Sequence, residues 1–202
     1  MISSTEPSPN LMKTRGHSKT MNILALCGSL QKSSYNRSAL KFAQTNAPKG
    51  ITITQADISK LPFFNQDLEA KPPESVIKLR DQIKSADALL FVTPEYNYSI
   101  SSVLKNAIEW GSRPYGQGVL IHKPAAIMGA SIGMLGTARA QYHLRQILVQ
   151  TDTYVMNHPE VMIPFASDKF GTLGNLTDKD TGEKILALIE ALVSWSQKFP
   201  VK

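Results

Sequence analysis

The first of two polar segments suited to hold a ligand is residues 28–37, GSLQKSSYNR, which directly follow an apolar run. Its hydroxyl and amide side chains, at Ser29, Gln31, Ser34 and Asn36, can donate hydrogen bonds to an anion. Unpaired backbone N–H groups at the start of a following helix would add the positive end of a helix dipole. The segment therefore predicts a phosphate site, although Ser34 and Asn36 are equally suited to cap that helix.

The second polar segment is residues 93–99, TPEYNYS, and it also follows an apolar run. It combines a proline that fixes the backbone with two aromatic rings and an amide, which suit a flat heterocycle. A lone tyrosine here would favour ordinary packing, but two tyrosines flanking an asparagine favour ligand contact. The predicted contacts are Pro94, Glu95, Tyr96, Asn97, Tyr98 and Ser99.

A third loop, residues 130–137, has the small residues that would leave room for the far side of such a ring, with Ser131 approaching it. Gly28 is expected to let the backbone of the first loop approach the ligand closely. A phosphate site beside a heterocycle site is typical of a mononucleotide pocket, and the ligand that we predict is FMN. No Gly-x-Gly-x-x-Gly follows a strand and no Gly-Lys-Ser/Thr occurs, which argues against a dinucleotide fingerprint and nucleotide hydrolysis.

Alternating apolar runs and helical patterns surround these loops from Met21 onward. Continuous or alternating apolar runs predict five strands, and apolar residues at helical spacing predict five helices between and after them. The predicted strands are residues 23–27, 51–54, 88–92, 125–129 and 153–156, with the last either ending there or resumed at 161–163. The pattern predicts an α/β fold, a flavodoxin-like three-layer sandwich whose five-stranded parallel sheet has the order 2-1-3-4-5.

In that strand order, the switch point of the sheet lies between the first and third strands. Those two strands lead into the two polar segments, so the topology and the side chains select the same site. A chain of 202 residues is long enough for one such domain, predicted over residues 21–202, after a polar N-terminal tail over residues 1–20 that we expect to be disordered.

Charge and composition limit the kinds of partner that we expect. The net charge of +6 comes without a run of five or six basic residues, which argues against a nucleic-acid partner and suits small anionic ligands. No apolar stretch is long enough for a membrane span, and a cytoplasmic location is expected. Cys27 is the one cysteine, expected to be a buried thiol, and the four histidines lack metal-ligand spacing, so no metal is expected.

Residues 21–200 resemble the NAD(P)H-dependent FMN reductases, including members that reduce chromate and quinones. The resemblance rests on GSL with Ser34 and Asn36, on the segment TPEYNYS, and on LKNAIEW at residues 104–110. It continues in ARAQYHLRQ at residues 138–146 and NHPE at residues 157–160. By this resemblance Ser29, Gln31, Ser34 and Asn36 hold the FMN phosphate, residues 94–99 hold the isoalloxazine and ribityl chain, and Ser131 approaches the ring.

The resemblance implies that NADPH or NADH delivers hydride to the flavin and that a small-molecule acceptor then takes the electrons. Quinones, azo compounds, free flavin and chromate are the implied acceptors, and no side chain is assigned as a catalytic acid or base. Family members form homodimers and homotetramers, which would place Arg139, Tyr142 and Glu160 near an interface. A solvated helix face is the alternative for these three residues.

Two residues depart from the family pattern. Gln31 stands where many relatives have an arginine, which removes a charge-assisted phosphate contact, and Thr137 stands where relatives often have glycine, which is expected to narrow the substrate mouth. Two other functions remain open: a flavodoxin-like electron carrier, against which the positive net charge argues, and a flavin-binding or regulatory module without its own NAD(P)H turnover.

Overall fold

The computed structural model describes residues 20–199, so the tail predicted over residues 1–20 lies outside the described residues except for Thr20. Within this range the chain alternates strands and helices, as the sequence predicts. The strands are β1 Met21–Cys27, β2 Ile51–Gln55, β3 Ala88–Val92, β4 Pro124–Ala130, β5 Tyr154–Val155 and β6 Val161–Ile163. The α-helices are α1 Tyr35–Thr45, α2 Glu74–Ser85, α3 Ser102–Gly111, α4 Ala138–Gln150 and α5 Lys179–Ser196.

The strands form one parallel sheet in the order β2-β1-β3-β4-β5, which confirms the predicted flavodoxin-like topology. The resumed segment after the fifth predicted strand is a separate strand, β6, which pairs with the end of β4 while β5 pairs with its start. Pro159 lies between the two strands and has no N–H for a sheet hydrogen bond.

Two apolar clusters cover the two faces of the sheet and complete the three layers. Helices α1 and α5 pack on one face, where buried side chains such as Leu40 and Leu188 meet alternate residues of β1 and β3. Helices α2, α3 and α4 pack on the other face, around Leu104 and Leu144. Strands covered on both sides must be apolar throughout, which is why β3 and β4 are buried along their whole length.

The register of the sheet aligns the ends of the central strands. Cys27 at the end of β1 lies opposite Val92 at the end of β3, and Val92 lies opposite Met128 near the end of β4. The loops that follow these strands therefore start from one edge, as the switch-point argument requires. None of the helices within residues 20–199 has the length and apolarity needed to cross a bilayer.

Candidate functional site

The loop after β1 presents unpaired backbone donors beside the start of α1. No described acceptor bonds the backbone N–H groups of residues 30–33. Ser34 is the N-cap of α1, and its hydroxyl oxygen accepts from the Arg37 N–H at 3.3 Å. The capping alternative is therefore realised, while the Ser34 hydroxyl still has a proton to donate. Ser29 is buried in this loop and Gln31 is exposed, with Lys32 and Arg37 adding two cations nearby.

Asn36 lies under this loop, where it joins α1 to the end of β4. Its amide donates to the Ala130 carbonyl and its oxygen accepts from the Ala130 N–H, both at 2.9 Å. The side chain is only 4% exposed. Asn36 was predicted as a phosphate donor. The structure gives it two bonds to the strand, which leaves one amide proton for any ligand.

Gly28 is required by packing at the start of α3, and its expected close approach to a ligand stays a prediction. A Cβ at this position would lie 2.6 Å from Ser101 Oγ and 3.1 Å from Leu104 Cβ, at the start of α3. The neighbouring Cys27 is buried, and burial raises the pKa of its thiol. The thiol therefore stays protonated at neutral pH, in agreement with the expected structural role.

The loop after β3 forms a two-residue hairpin that holds its tyrosines in solvent. Tyr96 and Ser99 exchange backbone N–H to carbonyl hydrogen bonds at 2.9 Å in each direction. The central residues, Asn97 and Tyr98, have φ values of 48° and 68°. Positive φ at both central residues is the pattern of a type I′ turn, where Asn-Gly is preferred and a bulky residue is strained. Tyr98 is 69% exposed and Tyr96 is half exposed.

Ser99 bonds α4 through its side chain, because its hydroxyl lies 2.7 Å from His143 Nδ1. Glu95 is also bonded to this helix. Its carboxylate accepts from Arg139 Nε at 2.7 Å and from the Ala140 N–H at 3.1 Å, at the N-terminus of α4. The Arg139 guanidinium lies 3.7 Å from the centre of the Tyr98 ring. Glu95 thus caps α4 and holds the arginine that supports Tyr98, so a ligand would meet its backbone rather than its carboxylate.

The loop after β4 is braced against the segment after β6. Ser131 donates its N–H to the Ile163 carbonyl, and its hydroxyl oxygen accepts from the Gly133 N–H. Ser131 is half-buried, at the position from which it was predicted to approach a ring. Phe165, which has a φ of 48°, donates its N–H to the Gly133 carbonyl.

Thr137 does not narrow a substrate mouth, and that prediction is wrong. It is 1% exposed, in a left-handed conformation with φ of 78°, and its hydroxyl oxygen accepts from Gln141 Nε2. Its side chain is turned inward against Gly129, where a Cβ would clash with it and with the Thr93 carbonyl. The missing Cβ of Gly129 is what makes room for the threonine under the loop.

An exposed apolar rim surrounds the ends of β1, β3, β4 and β6. Each member follows one of these strands and has at least two fifths of its side chain in solvent. The members of this apolar rim are Leu30, Tyr96, Tyr98, Ile132, Met134, Leu135 and Phe165. In the described residues, no group of three or more His, Cys, Asp or Glu side chains is arranged to hold a metal ion.

Two sets of side-chain hydrogen bonds that support the site join residues far apart in sequence, and the sequence alone does not predict them. Asn36 bonds a residue 94 positions away, and Glu95 bonds residues 44 and 45 positions away. The one local signal is an absence: Thr137, the N-cap residue before α4, makes no side-chain cap hydrogen bond, so the cap had to come from another part of the chain.

Comparisons with known proteins agree on one family. The sequence model described as NADPH-dependent FMN reductase matches residues 21–168. An NAD(P)H-dependent FMN reductase of Pseudomonas aeruginosa is 50% identical over 182 residues, covering 90% of this chain and 98% of that protein. A 2-hydroxy-1,4-benzoquinone reductase of Burkholderia sp is 38% identical over 175 residues, covering 87% of this chain and 96% of that protein.

Solved structures give the same result. The flavoenzyme FerB of Paracoccus denitrificans, an NAD(P)H:(acceptor) oxidoreductase, has a TM-score of 0.82 and 38% identity. The superposition covers 89% of this chain and 98% of that one. The similarity thus extends over most of both chains.

Proposed function

The chain belongs to the NADPH-dependent FMN reductase family, and from this membership we propose that a quinone accepts the electrons that NAD(P)H delivers through FMN. The activity is that of an NAD(P)H-dependent flavin oxidoreductase, with FMN as cofactor. The observation that carries the placement of FMN is the pairing of free donors after β1 with exposed aromatic rings after β3, at neighbouring strand ends.

The residues present fit FMN. The free N–H groups of residues 30–33 and the hydroxyl of Ser34 can surround a phosphate at the positive end of α1. Ser29 and the remaining proton of Asn36 lie under the same loop. Gln31 supplies no charge, but Lys32 and Arg37 stand on either side of Ser34 in sequence and supply two. The phosphate contacts of this chain are therefore proposed to come mainly from backbone.

The flavin ring is proposed to lie between the Tyr96–Ser99 hairpin and the loop at Ser131. The conformation of the hairpin is fixed by the hydrogen bonds between its two ends and by the contact of Arg139 with the Tyr98 ring. Bound FMN supplies the hydride chemistry, accepting two electrons from NAD(P)H and passing them to the acceptor. The chain supplies position and exclusion of water, and none of its residues is proposed as an acid or base.

The apolar rim favours a flat apolar acceptor over a small anion. Its members after β4 and β6, Ile132, Met134 and Phe165, are all at least 48% exposed. Burying apolar surface against a quinone ring is favourable, by about 25 cal/mol per Å². Chromate is charged and would gain nothing from these side chains, so among the implied acceptors a quinone suits this surface best.

We further propose a homodimer or homotetramer in the cytoplasm. On α4, Tyr142 and Val149 are large, exposed apolar side chains, and Arg139 is partly exposed at the start of the same helix. Glu160 is held by Arg145 at 3.9 Å instead of projecting freely. Light scattering on the FMN-loaded protein gives the mass of the assembly, and a Tyr142→Glu variant should lower it. An unchanged mass would exclude this face from the interface.

An anaerobic absorbance titration tests the proposed function. FMN-loaded protein is titrated with NADPH and separately with NADH, and a quinone is then added without oxygen. We expect the flavin absorbance to bleach with at least one nucleotide and to return with the quinone. Absorbance that resists both nucleotides but bleaches with dithionite would contradict the proposal and indicate an electron carrier. A protein that does not retain FMN would indicate a regulatory module.

A further inference from the structure

A basic groove runs along the outer face of α1, starting at the phosphate loop. It is a cavity of about 370 Å³ between α1 and the segment that precedes α5. That volume lies in the range of small-molecule sites, about 300–1,000 Å³. Its lining from the α1 side includes Lys32, Ser34, Arg37, Ser38, Lys41 and Phe42.

The charges in this basic groove are of one sign. Lys32, Arg37 and Lys41 line it, and no Asp or Glu does. None of the three cations forms an ion pair with a carboxylate of the described chain. Three cations along one cavity without counter-charges suit more than one phosphate group, one beside Ser34 and a second beside Lys41.

The opposite wall of the basic groove is apolar and preformed. Residues 170–176 form a closed loop in which Gly171 and Asn175 are joined by an N–H to carbonyl bond at 2.8 Å. Leu173 and Leu176 from this loop line the cavity together with Phe42. Leu173 is 93% exposed, so a flat ring placed against it would bury apolar surface that is now in water.

We propose that this basic groove binds the adenosine half of NADPH, with Lys41 holding its 2′-phosphate while Lys32 and Arg37 remain beside the proposed FMN phosphate. The inference rests on the proposed function, which makes a nicotinamide dinucleotide the co-substrate. NADPH has its reactive ring at one end and an adenine ring with a 2′-phosphate at the other, which matches a groove with leucines on one side and Lys41 beyond the proposed FMN phosphate. The groove starts at Ser34, beside the proposed phosphate site.

Lys41 is the residue that separates this proposal from FMN binding. It lies seven residues beyond Ser34 on α1, about 10 Å along the helix axis, too far to touch the FMN phosphate. Loss of one exposed phosphate contact costs about 1 kcal/mol, which corresponds to about a fivefold change. Lys41→Gln should therefore raise KM for NADPH about fivefold, and Lys41→Glu should raise it further. The KM for NADH, kcat and FMN affinity should stay at their wild-type values.

The matched control is Lys78→Glu, an exposed lysine on α2, which packs on the other face of the sheet. Calorimetry with 2′,5′-ADP supplies a readout independent of turnover, and its affinity should fall in the Lys41 variants but not in Lys78→Glu. An NADPH-to-NADH preference that Lys41→Glu leaves unchanged, or unaltered 2′,5′-ADP binding, would overturn the proposal. Wild-type flavin that neither nucleotide bleaches would contradict the proposed function instead, while 2′,5′-ADP binding would still decide whether the groove is a nucleotide site.

Discussion

The loops after β1 and β3 leave adjacent strands, yet they use their side chains in opposite ways. After β1, Ser34 and Asn36 are buried and bonded to the protein, and the free hydrogen-bonding groups belong to the backbone. After β3, the backbone is closed by its own hairpin bonds, and Tyr96 and Tyr98 extend into solvent. An anion needs fixed hydrogen-bond donors, whereas a flat ring needs exposed apolar surface. The loop after β1 therefore suits the proposed FMN phosphate, and the loop after β3 suits the proposed flavin ring.

This comparison predicts that substitution of Asn36 after β1 will act on stability and that substitution of the tyrosines after β3 will act on the ligand. Side chains that bond buried backbone groups leave those groups unsatisfied when removed. Exposed side chains leave nothing unsatisfied when removed, so the fold tolerates their loss.

The largest effect is expected from Asn36→Ala. It leaves the N–H and carbonyl of Ala130 without partners at a buried position, which should lower the free energy of unfolding by about 2–4 kcal/mol. Denaturant unfolding of the FMN-free protein measures it. Gln31→Ala, at an exposed position of the same loop, serves as the control and should change stability by less than about 0.5 kcal/mol. Equal effects of the two variants would show that the Asn36 bonds are not structural.

A smaller loss of stability is expected from Glu95→Ala, because Glu95 lies after β3 but its side chain is bonded to the protein. Removing the carboxylate leaves α4 without its cap and should cost about 1–2 kcal/mol. Arg139→Ala removes the partly exposed ion pair but keeps the cap, so it should cost less than about 1 kcal/mol. Denaturant unfolding of both variants separates the two contributions. An Arg139→Ala variant that loses as much stability as Glu95→Ala would contradict the capping role.

The smallest effect on stability is expected at Tyr98. Glycine has no steric penalty at positive φ, so Tyr98→Gly should be more stable than Tyr98→Ala by about 1 kcal/mol. Both variants lose the ring that contacts Arg139, so both should weaken flavin binding and slow quinone reduction. Unfolding and steady-state turnover are measured on the same preparations. Full activity in Tyr98→Gly would show that the ring does not contact the ligand.

Local patterns were enough to predict the fold and the placement of both loops. Continuous apolar runs identified β1, β3 and β4, and the strand order then placed residues 28–34 and 93–99 at one edge. The roles of Asn36, Glu95 and Thr137 could not be predicted, because each depends on a partner brought near only by the folded sheet. A side chain's type tells what it can bond, whereas the tertiary structure decides with which group it does so.

The central claim is that the loop after β1 binds the FMN phosphate and the loop after β3 binds the flavin ring. Equilibrium binding of FMN and riboflavin tests this claim most directly. Flavin fluorescence quenching gives both affinities for the wild type, Ser34→Ala and Tyr96→Ala. We expect the wild type to prefer FMN, since riboflavin lacks the phosphate. Ser34→Ala should reduce FMN affinity about tenfold and leave riboflavin affinity unchanged, while Tyr96→Ala should weaken both alike. Riboflavin binding as tightly as FMN, or a Ser34→Ala variant that weakens both flavins equally, would contradict the placement of the phosphate beside α1.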